Sequence, residues 1–246
     1  MSGHNKWSTI KRKKGAADAK RSKIFSKIIK EIQVAVRESG PSEESNPRLR
    51  LAIQNAKGVN MPKDNIVRAI SKASSEGANL TEVTFEGYAP GGVAIFVECL
   101  TDNNNRTVSN IRSIFTKRGG SLGTKGSLSF LFERKGVITV TKGNFDPDEF
   151  QLEVIDAGVD EVDDVGDAFV LTCSFENFAR VRKKLEEMKI EAQNAEVQRI
   201  PNDYKKLDTD TAQKVLKLVE DFEEDDDVQN VFHNLEMTEE IINAMG

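Results

Sequence analysis

The side chains able to act as nucleophiles, bases or metal ligands are sparse in this chain and lie far apart. There are two histidines, His4 and His233, and two cysteines, Cys99 and Cys173. None sits in a pattern with Ser, Cys or a carboxylate that would make a nucleophile and its base. No CxxC or Cys/His cluster occurs, so no zinc site is expected. Cys99 and Cys173 stand in apolar, strand-like runs (VAIFVECL and FVLTCSF) and read as buried, reduced thiols that pack as small hydrophobes. Gly91-Gly92 and Gly119-Gly120 lack a following GK[ST], so they read as turn and helix-stop glycines rather than a phosphate loop. The run from Glu223 to Asp227 lacks the spaced ligands and glycine of a calcium loop and reads as a solvated face. These patterns assign no catalytic residue, no metal site and no cofactor, and a non-enzymatic chain is expected.

The chemistry that is present is concentrated positive charge. Lys6, Lys11, Arg12, Lys13 and Lys14 crowd the first 18 residues, with Trp7 among them. Such an arm suits a phosphate backbone and would order on it. Trp7 either stacks on a base or packs against the helical segment that follows. Lys20, Arg21, Lys23, Lys27 and Lys30 continue the charge along the first half of a helix. A second polar stretch, Thr101-Asp102-Asn103-Asn104-Asn105-Arg106-Thr107, has two readings. Its asparagines cap a helix, or the free N–H groups of that helix start meet a phosphate, with Arg106 adding charge. Arg106 and Lys117 are eleven residues apart and share a helix face.

Charge is segregated along the chain. Residues 1–80 carry a net +10 and residues 81–134 a net +1, whereas 135–204 and 205–246 carry −8 each, giving −5 overall. A basic third attached to an acidic remainder is the footprint of a polyanion partner. The acidic segments keep the chain soluble and are suited to dock a basic protein surface. No apolar run approaches the ~20 residues of a membrane span, and the basic N-terminus lacks the apolar stretch of a signal peptide. The expected location is cytoplasmic, with no membrane partner.

The elements that would carry these residues follow from periodicity. Phe25, Ile29, Ile32 and Val36, widened by Ile24 and Ile28, predict a helix from Ala19 to the Gly40-Pro41 break. Asn46-Pro47 opens a second helix with Leu49, Ala52, Ile53 and Ala56 inward and Gly58 as its stop. A third runs from Pro62 to Gly77. The apolar positions around Gly58-Val59-Asn60 are out of register for a helix-turn-helix, so residues 1–80 read as an arm plus a three-helix bundle. From Val83 the period becomes two: strands at 83–88, 93–100 and 128–132, with a helix between the second and third. Residues 135–204 show a complete βαββαβ order, that of a ferredoxin-like domain. One more helix and a strand at 228–235 supply what 81–134 lacks. The fold class is therefore α+β in three domains: the helical bundle (1–80), an α+β domain (81–134 plus 205–246), and an acidic ferredoxin-like domain (135–204) inserted into it.

The opening MSGHNKWSTIK, then DAKRSKIF, NPRLR, MPKDNI, EGYAPGGVAIFVECLTDNNNRT and GGSLGTKGSLSFLFERKGV, resemble the YebC/PmpR family. The resemblance spans essentially the whole chain and is densest over 1–136. It implies a helical N-terminal domain followed by two α+β domains. It also implies a cytoplasmic, DNA-binding, non-enzymatic regulator of transcription, with mitochondrial relatives that activate translation. Carried over, Lys6, Lys11, Arg12, Lys13, Lys20, Arg21 and Lys23 would contact phosphates. The expected function is a DNA-binding transcriptional regulator acting through the arm and first helix. The alternative is a ribosome-associated translation factor on rRNA through the same surface. The expected binding residues are Lys6, Trp7, Lys11, Arg12, Lys13, Lys14, Lys20, Arg21, Lys23, Lys27 and Arg106.

Overall fold

A computed structural model describes residues 18–76 and 79–244. Helix α1 (Asp18–Ser39) buries Ile32, Val34, Ala35 and Val36. It stops where Gly40 takes the left-handed φ of +84°. Asn46 then serves two helices at once. Its Oδ1 accepts from Leu49 N (3.0 Å) to cap α2 (Pro47–Gly58), while its amide nitrogen donates to the α1 carbonyl of Ala35 (2.6 Å). The amide nitrogen also donates to Gly40 O (2.8 Å), and a serine, with a single hydroxyl donor, could not make both of these bonds. Between α2 and α3 (Lys63–Glu76) the left-handed turn residue is Asn60, φ +56°, rather than Gly58. Gly58 is glycine for another reason: a Cβ there would lie 1.8 Å from the Gln193 carbonyl oxygen. The third helix's expected stop at Gly77 lies outside the described residues.

The described residues form two compact units. One joins 31–76 to 134–199. Its strands β4 (Phe132–Thr141), β5 (Val159–Asp164), β6 (Ala168–Ser174) and β7 (Ala192–Pro201) run in the order β5-β6-β4-β7. β6 is antiparallel to both β4 and β5. With helices α5 (Pro147–Asp156) and α6 (Phe178–Glu187) as the crossovers, this is the ferredoxin-like arrangement expected for 135–204. Ile138, Phe150, Phe169, Leu171, Val181 and Leu185 form its core. Leu51 of α2 packs against that core. Asn55 of α2 pairs with β7 as a neighbouring strand would, accepting from Ala195 N (2.9 Å) and donating to Ala195 O (2.8 Å). An edge strand is thereby covered by a helix. This is why Gly58 must let the β7 backbone come close.

The other unit joins 18–30, 79–133 and 200–244. β1 (Thr81–Ala89) and β2 (Val93–Thr101) form a hairpin in register from Thr81–Thr101 to Ala89–Val93. The sheet order is β3-β1-β2-β8, with β3 (Ser121–Leu122) and β8 (Val228–His233) at the edges. Central β2 is apolar almost throughout, as its sequence indicated. Helices α4 (Asn104–Lys117) and α7 (Thr209–Glu224) meet through Phe115 and Phe222, whose rings lie 4.8 Å apart edge to face. A short helix, α8 (Glu239–Ala244), follows β8 and was not anticipated. Because β8 closes a sheet begun by β1, the ferredoxin-like segment is an insertion in this α+β unit.

The structure departs from the reading at 128–132. In the apolar run LSFLF, residues 128–131 are turns, and only Phe132 is in a strand, as the first residue of β4. The buried Glu86 carboxylate accepts from Gly126 N (2.7 Å) and Leu128 N (2.5 Å) and holds the chain in that bend. The strand partner of β1 is instead the two-residue β3.

Candidate nucleic-acid interface

Lys23, Lys27 and Lys30 recur at i, i+4 and i+7 and share a face of α1. That face is turned on the acidic segment between α7 and β8. Lys23 Nζ donates to the Glu224 carbonyl (2.9 Å) and Lys27 Nζ to that of Gln229 (3.2 Å). Lys30 Nζ donates to the carbonyls of Asp226 (2.7 Å) and Leu100 (3.3 Å) and meets Asp227 Oδ1 at 3.3 Å. Glu224 ends α7, so part of this attraction comes from the negative end of that helix.

Asp227 is the centre of the arrangement. Its side chain is 5% exposed. It accepts from Arg106 Nη2 (2.7 Å), Thr107 Oγ1 (2.9 Å) and Thr101 Oγ1 (3.2 Å), besides Lys30. Burial works against its ionisation, but the hydrogen bonds from Arg106, Thr107 and Lys30 outweigh it and hold the carboxyl below the usual aspartate range. The run Glu223–Asp227 was expected to be a solvated face. Its last residue is a buried anchor, because four side chains from three segments donate to it. No local pattern announces this; the only hint was the complementary spacing of the α1 lysines.

The same contacts decide where the expected binding residues fall. Lys6, Trp7, Lys11, Arg12, Lys13 and Lys14 lie outside the described residues. Lys20 belongs to α1, whose described side chains begin at Arg21. Arg21 is exposed, 6.0 Å from the Phe25 ring. Lys23, Lys27 and Arg106 are brought together, but around Asp227 and the neighbouring carbonyls. Arg106 also pairs with Asp102 (2.9 Å). Asn103 caps α4, accepting from Arg106 N (3.1 Å), so the capping reading of the TDNNNRT loop holds. A phosphate at that helix start would face two carboxylates, Asp102 and Asp227. Lys117 is exposed, while its neighbour Arg118 forms a two-pronged pair with Asp221 (2.7 and 2.8 Å).

Two amide side chains of α2, the residue type that reads bases, are engaged internally. Gln54 accepts from Arg182 (3.3 Å), and Asn55 is held by β7. Exposed positive side chains remain at Lys57, Lys63 and Arg68. Both cysteines are buried, and burial pushes their thiols up, Cys99 to about 12 and Cys173 to about 11. Among the described residues no helix is long and apolar enough to cross a membrane.

The fold, with an inserted ferredoxin-like sheet and a basic helical N-terminal third, is that of a multidomain α+β protein. Comparison with known families gives the particular one. The family described as TACO1/YebC protein N-terminal domain matches residues 5–76, and that described as TACO1/YebC second and third domain matches residues 80–235. The chain belongs to the TACO1/YebC family. A probable transcriptional regulatory protein of Rubrobacter xylanophilus is 49% identical, covering 98% of each chain. One from Clostridium botulinum is 48% identical over 97% of this chain and 98% of its own. The crystal structure of a conserved hypothetical protein from Aquifex aeolicus superposes with a TM-score of 0.82 at 45% identity, covering 92% of this chain and 94% of that one.

Proposed function

We propose that the chain is a non-enzymatic regulator of gene expression that binds the backbone of DNA through its basic N-terminal third. The observation that carries this reading is the segregation of charge, +10 over residues 1–80 against −16 over 135–246. Localised positive charge of this size attracts phosphates largely without regard to sequence. The relatives' names supply transcription as the process. The candidate contacts are Lys6, Trp7, Lys11, Arg12, Lys13, Lys14, Lys20 and Arg21. Lys23, Lys27 and Arg106 serve a second purpose, clasping the Asp227 segment. A cytoplasmic location follows from the same reading.

One observation favours a second reading, binding to ribosomal RNA. Base readout in the major groove uses Arg, Asn and Gln side chains that are free to reach base edges. Gln54 and Asn55 of α2 are held within the protein. A surface that holds backbone without reading base edges suits folded RNA as well as duplex DNA. The test is a salt-dependent titration of wild type and a Lys11, Arg12, Lys13, Lys14→Ala variant against duplex DNA and a ribosomal RNA fragment. Loss of affinity for all sequences alike, with a shallower salt dependence, supports the arm as the contact surface. Unchanged binding discards it, and the tighter polymer chooses between the two readings.

A further inference from the structure

Arg50 and Arg182 stand out among the described arginines because both flank Gln54 of α2 and neither meets a carboxylate. Arg50 and Gln54 are one turn apart on α2 and share a face. Arg182 of α6 reaches that face, donating from Nη2 to Gln54 Oε1 (3.3 Å) with its guanidinium 5.9 Å from the Phe178 ring. Its Nε is sealed from solvent with no acceptor. Arg50 donates only to main-chain carbonyls, those of Glu43 (3.2 Å) and Glu44 (2.7 Å). The exposed carboxylates of those two residues make no ion pair with it. Three other arginines are neutralised by carboxylates: Arg48 by Glu31 and Glu38, Arg106 by Asp227 and Arg118 by Asp221. Burial, and then Arg50, push the Arg182 guanidinium down, while Glu186 acts the other way without forming an ion pair. The two guanidinium groups repel each other, and no carboxylate among the described residues offsets either charge by an ion pair.

We propose that Arg50 and Arg182 form a phosphate-binding site between α2 and α6, which an anion completes by bridging the two guanidinium groups. Guanidinium forks match the oxygens of a phosphate or phosphodiester, and two of them fix its position as well as its charge. Lys23, Lys27 and Lys30 of α1 are engaged by the Asp227 segment, whereas Arg50 and Arg182 have no carboxylate partner among the described residues. The inference rests on the nucleic-acid reading for its most natural ligand, a backbone phosphodiester. Free phosphate species share the same chemistry.

The experiment titrates the full chain, an R50Q/R182Q variant and the Lys11–Lys14 alanine variant with three probes: a short DNA duplex, a short single-stranded RNA and inorganic pyrophosphate. The expected result is about tenfold weaker nucleic-acid binding by R50Q/R182Q, with a salt slope lower by about one for each phosphate contact removed. Loss confined to the nucleic acids identifies a backbone phosphodiester, and loss of pyrophosphate binding identifies a free phosphate species. Either supports the site. Unchanged binding of all three probes overturns it. If only the arm variant loses nucleic acid, the proposed function stands and this site falls. If wild type binds neither polymer, that function falls and pyrophosphate alone decides the site. Single R50Q, which touches only loop carbonyls, replaces the double variant should the latter fail to fold.

Discussion

Removing the Asp227 carboxylate tests whether the acidic segment anchors the basic helix. In Asp227→Ala two hydroxyls, Thr101 and Thr107, and two cations, Arg106 and Lys30, lose their shared acceptor. Deleting one partner of a buried pair costs about 3–5 kcal/mol because it leaves the other charges without compensation. Arg106 is 46% and Lys30 22% exposed, so water compensates part of the loss. The lower end, about 3 kcal/mol, is therefore expected for the loss of Asp227. In a chain of this size that lowers the melting temperature by roughly 6–12 °C. Urea and thermal unfolding of the full chain measure it. The pH dependence supplies a second check. The folded pKa of Asp227 is depressed, so its contribution is present above the ordinary aspartate value and lost as pH falls through the folded one. The stability gap between wild type and Asp227→Asn should therefore close below about pH 4. An Asp227→Ala protein within about 0.5 kcal/mol of wild type would refute the anchoring argument.

Three further outcomes follow from the same geometry. Gly58→Ala gains up to about 1 kcal/mol of helix propensity but places a Cβ 1.8 Å from the Gln193 oxygen. Overpacking of that kind costs about 1–3 kcal/mol, so net destabilisation in urea is expected, and a stabilised variant would contradict the close approach of α2 to β7. Glu86→Ala leaves the Gly126 and Leu128 amides without their acceptor. It should cost about 2 kcal/mol and speed hydrogen exchange at both amides; unaltered exchange would show that the bend holds without Glu86. Cys99 and Cys173, buried with thiols pushed up to about 12 and 11, should resist a thiol reagent at pH 8 until the chain unfolds. Immediate labelling of the native protein would contradict their placement.

Much of the fold was legible because it is local. The Ile32–Val36 stripe, the apolar β2 run, the Asn46-Pro47 helix start and the βαββαβ order each depend on neighbours along the chain. The misread elements depend on distant residues. LSFLF has the composition of a strand, but the Glu86 carboxylate, some forty residues away in sequence, holds its start as turns, and only Phe132 enters β4. Gly58 looks like a helix stop, and its glycine is needed by a strand 135 residues further on. The acidic run at 223–227 reads as solvated because the donors to Asp227 come from α1, β2 and α4. For the candidate interface, composition located the charge but not its uses: the sequence could not say that Lys23, Lys27 and Arg106 are engaged internally or that Arg182 reaches Gln54, one turn from Arg50.

The most direct test of the central claim is ultraviolet crosslinking of the tagged protein in cells, with the attached nucleic acid sequenced and the crosslinked peptides mapped. The account predicts crosslinks within residues 1–80, none in the acidic 205–246 segment, and recovered DNA enriched at a limited set of promoters. Reads concentrated on ribosomal RNA would move the target to the second reading, and recovery of no nucleic acid above an unirradiated control would contradict the account.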